Sequence, residues 1–105
     1  MNDNLFESKE EALKLLENSR KEIDKIDNTL IDLISLRTSL AKDILKAKIY
    51  LDMDIYDKSR EDSIHKKTTK LACEKNMDPE ILNQIMDMLT ILNKNEQKKL
   101  LKEDC

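Results

Sequence analysis

Steps of three and four between apolar residues organise the first half of this chain. Ile23, Ile26, Leu30, Leu33, Leu40 and Ile44 fall on one stripe, with Arg37 in the same register. That spacing predicts an amphipathic helix with a heptad-like seam. Leu13, Leu16, Ile34, Ala41 and Ala47 widen the stripe. Ser8 with Glu11 three residues on has the form of a capping box, so the helix is expected to start there and run to about Leu51. Roughly forty helical residues would be about 60 Å long, about twice the diameter of a small domain. One chain of this size cannot cover so long an apolar face. An extended coiled-coil dimer answers that problem, and so does an intertwined dimer in which the long helices of two chains pair.

The pattern then breaks. Asp52-Met53-Asp54-Ile55-Tyr56 reads as a connector, and Asp57 or Ser59 caps a second helix that buries Ile64, Leu71 and Ala72. After a polar break from Cys73 to Met77, Asp78-Pro79-Glu80 places a capping acid, a proline and another acid where a helix starts. The third helix is expected to bury Ile81, Leu82, Ile85, Met86, Met88, Leu89 and Leu92, then fray from Lys98 to Cys105. The reading is one all-α domain over residues 1–105, with one long and two shorter helices, dimeric.

Polar residues intrude where this periodicity calls for apolar ones. Arg37 and Lys48 sit on the buried stripe of the long helix, about 17 Å apart in rise. Asp57, Arg60 and Glu61 share one face at the start of the second helix. Asn93 and Gln97 continue the apolar stripe of the third. Each set has a bland account when taken alone: snorkelling cations or register-setters, a cap with an intrahelical ion pair, the solvated end of a helix. Burying all of them without partners would cost several kcal/mol per group. Together they predict a polar pocket rich in fixed cations, suited to a small anionic ligand. Arg20 lies on another face, since the seventeen residues to Arg37 turn the helix by about a quarter revolution.

Composition narrows the class further. The chain has no Gly, no Trp, one Pro and three aromatics. Without the default residue of hairpin turns, a β-rich fold is excluded in practice. The net charge is −3 with both signs interleaved, which argues against a nucleic-acid surface. The acidic N-terminal residues Met1 to Glu7 lack the basic and apolar blocks of a signal peptide, and no run approaches the ~20 apolar residues of a membrane span. Cys73 and Cys105 have no metal-ligand spacing. Free thiols in a reducing cytoplasm are expected, with no metal and no cofactor.

In order and spacing the set resembles the all-helical (AroQ-type) chorismate mutases. The motif reads Arg20-x6-Asp27, Arg37, Lys46-Ala47-Lys48, Asp57-x-x-Arg60-Glu61 and Gln97, from about Ser19 on; residues 1–18 match no motif. Asn93 departs from it, standing where bacterial members usually carry a small hydroxyl residue. The resemblance implies a Claisen rearrangement of chorismate to prephenate, a step towards phenylalanine and tyrosine that needs no nucleophile, metal or proton transfer. It implies that Arg37 and a partner chain's Arg20 bind carboxylates. Lys48 and Gln97 would donate to the ether oxygen, and Glu61 with the backbone near Asp57 would hold the ring hydroxyl. Arg60 would order the site, and Asn93 would stand at the carboxylate end. An isochorismate–pyruvate lyase of the same fold and a non-catalytic helical regulatory module are the alternatives. A further shikimate-pathway enzyme as partner is left open.

Overall fold

The computed structural model describes residues 5–103; Met1 to Asn4 and Cys105, read above for targeting and thiol chemistry, lie outside them. Three helices follow in order: α1 (Lys9–Tyr50), α2 (Lys58–Glu74) and α3 (Pro79–Glu103). The chain forms two compact units, one ending at Ile34 and the other starting at Ser35. Among the described residues no helix is long and apolar enough to cross a membrane.

Local chemistry sets the helix ends. Ser8 Oγ accepts the Glu11 amide at 3.1 Å, while the Glu11 carboxylate accepts the Glu7 amide at 3.2 Å. Asp57 is the N-cap of α2, its Oδ1 accepting the Arg60 amide at 3.0 Å. Asp78 Oδ1 accepts the amides of Glu80 and Ile81, and Pro79 takes the first helical position, where it has no N–H to leave unpaired.

With no glycine available, the C-termini of α1 and α2 turn on Asp52 (φ 55°) and Asn76 (φ 56°), residue types that tolerate the left-handed region. Both turns close as Schellman motifs. Met53 N–H reaches the Lys48 carbonyl and Asp52 N–H that of Ile49; Met77 N–H reaches Ala72 and Asn76 N–H reaches Cys73. The first of these turns fixes the exit of α1 at Lys48 itself.

Within residues 35–105, α2 packs against α3. Asn83 Nδ2 donates to Thr69 Oγ1 at 2.9 Å, and His65 Nε2 lies 2.5 Å from Asp87 Oδ1. Leu45 and Ala72 are fully buried, and Ile64, Leu82, Met86 and Leu89 are half-buried. Five residues of α2 and α3 expected in the core are instead exposed in the single chain: Leu71, Ile81, Ile85, Met88 and Leu92. Four of them, Ile81, Ile85, Met88 and Leu92, fall at i, i+4, i+7 and i+11, a second apolar stripe of α3 beside the half-buried one of Leu82, Met86 and Leu89. The helix also continues to Glu103 rather than fraying from Lys98, with Lys99 bonded to Glu96 one turn back at 3.2 Å.

In the unit that ends at Ile34, the seam residues Ile23, Ile26, Leu30 and Leu33 are 52–62% exposed. No intrahelical force requires those four side chains to be apolar.

Candidate active site

The polar intrusions converge on one cavity of about 290 Å³ inside the second unit. Arg37 and Lys48 come from α1, Asp57, Arg60 and Glu61 from the head of α2, and Asn93 and Gln97 from α3. Leu40, Ala41, Ile44, Ile55 and Ile64 supply apolar wall. The volume is at the small end for ligand pockets. Of the eight residues singled out in the sequence, only Arg20 is not among those lining the cavity.

Most of these side chains are anchored by a bond that their neighbourhood dictates. Lys48, one turn before the Schellman turn, donates its Nζ to the Ile55 carbonyl at 3.0 Å, tying α1 to the connector. Asn93 is buried, at 6% exposure, and is satisfied from both ends. Its Oδ1 accepts from the Arg37 guanidinium, and its Nδ2 donates to Thr38 Oγ1 at 2.8 Å. A buried amide left unpaired would be costly, so the Arg37–Asn93–Thr38 chain locks α1 and α3 in one register. Gln97 Nε2 donates to the Ala41 carbonyl at 3.1 Å. The Asp57 carboxylate is engaged by the cap of α2, and Arg60, whose amide fills that cap, presents its side chain to the cavity.

Glu61 accepts from Lys94 Nζ at 2.8 Å, and the Lys94 ammonium sits 4.9 Å from the centroid of the Tyr56 ring. The Lys94 hydrogen bond holds the Glu61 carboxyl below the usual carboxylate range. Partial burial pushes the other way, and the Lys94 charge, a Tyr56 hydrogen bond and the His65 charge reinforce the lowering. Sequence reading missed Lys94, Thr38 and Tyr56. Lys94 did carry a signal: Thr90, Asn93, Lys94 and Gln97 are spaced at i, i+3, i+4 and i+7, one helical stripe, and all line the cavity.

Many donors remain after this anchoring. A lysine has three N–H groups, an arginine five and a glutamine two, and the bonds above engage one each on Lys48, Arg37 and Gln97. The cations Arg37, Lys48, Arg60 and Lys94 face the carboxylates Asp57 and Glu61, a formal excess of two positive charges. Glu61 keeps its second oxygen as an acceptor. The arrangement can bind a compact dianion and donate hydrogen bonds to a third oxygen between its charged ends. Among the described residues no group of three or more His, Cys, Asp or Glu is placed to hold a metal.

Comparison with known proteins agrees with this geometry. The family model for chorismate mutase type II matches residues 19–98. The chain is 43% identical over 84 residues to the chorismate mutase of Methanocaldococcus jannaschii, covering 80% of this chain and 85% of that one. It is 29% and 31% identical, over 86 residues each, to the bifunctional chorismate mutase/prephenate dehydratases of Buchnera aphidicola from Schizaphis graminum and Acyrthosiphon pisum. Those alignments take in 82% of this chain but only 22% of either bifunctional protein.

Proposed function

The chain belongs to the chorismate mutase type II family, and we propose that the cavity in residues 35–105 is where it isomerises chorismate to prephenate. The observation that carries this reading is the anchored cation set with its spare donors. Chorismate carries two carboxylates, an ether oxygen and a ring hydroxyl. Its intramolecular rearrangement needs the chair-like conformer held with the reacting carbons in contact, an orientation effect. It also needs stabilisation of the negative charge that grows on the ether oxygen as the C–O bond lengthens.

The residues divide this work by chemistry. Arg37, fixed by Asn93, takes a carboxylate in the forked geometry that guanidinium favours. Lys48 and Gln97 donate to the ether oxygen from α1 and α3. Being pre-anchored by Ile55 and Ala41, they need little reorganisation when the charge appears. Glu61 accepts the ring hydroxyl, and Arg60 adds positive potential at the ring-carboxylate end. Asn93 acts on the substrate mainly through Arg37, because that guanidinium and Thr38 engage both ends of its amide.

The working enzyme in this reading is an intertwined homodimer. The 52–62% exposed side chains of Ile23, Ile26, Leu30 and Leu33 form the surface that a second copy would bury, and that copy supplies Arg20 as a further carboxylate ligand. Parallel assays with chorismate and isochorismate test the function. Prephenate from chorismate, with no pyruvate released from isochorismate, is expected. Pyruvate from isochorismate alone would identify a lyase, and no turnover of either would identify a non-catalytic module.

A further inference from the structure

Glu61 is held from an element other than its own helix. Lys94 on α3 reaches one carboxylate oxygen at 2.8 Å, and Tyr56 in the connector helps to keep the same carboxyl ionised. Lys94 is itself placed by the Tyr56 ring beneath it, 4.9 Å from the centroid, the arrangement of a cation–π contact. The Lys94 and Glu61 side chains are 42% and 26% exposed, and a pair so open to water adds little to stability. What the contact does is geometric. A free glutamate side chain samples several rotamers, most of them in solvent. With Oε1 bonded to Lys94, the carboxylate of this cavity-lining residue is held in one orientation.

We propose that Lys94, seated on Tyr56, is a positioning residue that presents the Glu61 carboxylate to the ring hydroxyl of the substrate. The proposal rests on the reading of this cavity as a chorismate site. It adds a residue outside the set read from the sequence, and it gives that residue a role through Glu61 rather than on the reacting atoms.

A consequence follows for pH. Glu61 accepts the hydroxyl well only while ionised, and Lys94 keeps it ionised to more acidic pH than an ordinary carboxylate. The other charged groups near it are His65, one turn along α2 and bonded to Asp87 of α3, Asp57 at the cap of α2, and the cations Arg37 and Lys48 on α1 and Arg60 on α2. His65 and Asp87 remain when Lys94 is changed, as do the three cations. With Lys94 neutralised, Glu61 takes up its proton at higher pH, so the acid limb of activity moves upward.

Lys94→Met, Lys94→Arg, Glu61→Gln and the Lys94→Met/Glu61→Gln double variant test this through pH profiles of kcat/KM, beside a ¹³C NMR titration of the Glu61 carboxyl. Lys94→Met should lower kcat/KM about tenfold at neutral pH, the effect of one charge-assisted hydrogen bond, and should shift the acid limb upward. Lys94→Arg should recover most of both. In the Glu61→Gln background, Lys94→Met should change kcat/KM by less than about twofold, because coupled residues are not additive. An acid limb unmoved in Lys94→Met, with the same loss in both backgrounds, would overturn the proposal. If the parent enzyme turned over no chorismate, the functional reading would fall by itself. The titration would still judge the contact, since a Glu61 midpoint unchanged in Lys94→Met refutes it.

Discussion

In residues 35–105 polar side chains gather at one cavity and most of them are held by partners, whereas in the unit that ends at Ile34 the seam residues Ile23, Ile26, Leu30 and Leu33 stand 52–62% exposed. Asn93 is 6% exposed and bonded at both ends of its amide; Ile26 and Ile31 are 62% and 64% exposed. The anchors of the cavity residues are made within residues 35–105. The seam has the residue types of an interface. The difference teaches that one long helix serves two purposes. Its last turns carry Arg37 and Lys48 to a pocket, and its earlier turns carry Ile23, Ile26, Leu30 and Leu33 on an exposed surface, the one that the proposed dimer would bury. Arg20 is the residue for which the two purposes meet, a cation placed among the seam-bearing turns.

The contrast can be broken from either side. The largest effect is expected in the seam. Leu30→Glu would place an unpaired charge in the dimer interface twice, at about 3–5 kcal/mol per copy. It should convert the dimer to monomers in sedimentation or light scattering. An unchanged dimer would mean that this stripe is not the interface. The next largest is in the pocket. Lys48→Ala should retain helicity and dimerisation while kcat falls by about 10²–10³, the loss of one preorganised donor. Near-parental kcat would remove Lys48 from the ether oxygen.

A smaller effect sharpens the pocket side. Asn93→Ala leaves the Arg37 guanidinium and the Thr38 hydroxyl without their shared partner. Stability should drop by about 1–3 kcal/mol, and KM should rise as Arg37 loses its fixed direction. A rise in KM with no loss in the denaturation midpoint would instead favour direct contact of Asn93 with substrate.

Much of the fold was legible because helix signals are local. The caps at Ser8, Asp57 and Asp78 lie within three residues of the amides they serve. Arg37, Lys48, Asn93 and Gln97 were legible because they interrupt apolar stripes, and Asp57, Arg60 and Glu61 because they share one helix face and complete the motif of the family resemblance. What the sequence left hidden depends on packing across helices. Lys94 shares a helical stripe with Asn93 and Gln97, but its partner Glu61 is 33 positions away and is met only when α3 lies against α2. Leu71, Ile81, Ile85, Met88 and Leu92 read as core because a periodic stripe does not say whether its own chain covers it. Leu45 is buried fully in the same chain although it is followed by Lys46 and Lys48 and lies off the principal seam.

The central claim is that each active site joins the cation set of one chain to Arg20 of another, and a hybrid-dimer experiment tests it most directly. Arg20→Ala and Arg37→Ala homodimers should both be nearly inactive, because every site lacks one cation. In a mixed dimer one pocket collects both substitutions and the other collects neither. Co-refolding equal amounts makes about half of the dimers mixed in a two-fold assembly, so activity should recover to about a quarter of the parental value. Activity no greater than the sum of the two inactive parents, with mixed dimers verified by native mass spectrometry, would contradict the shared site.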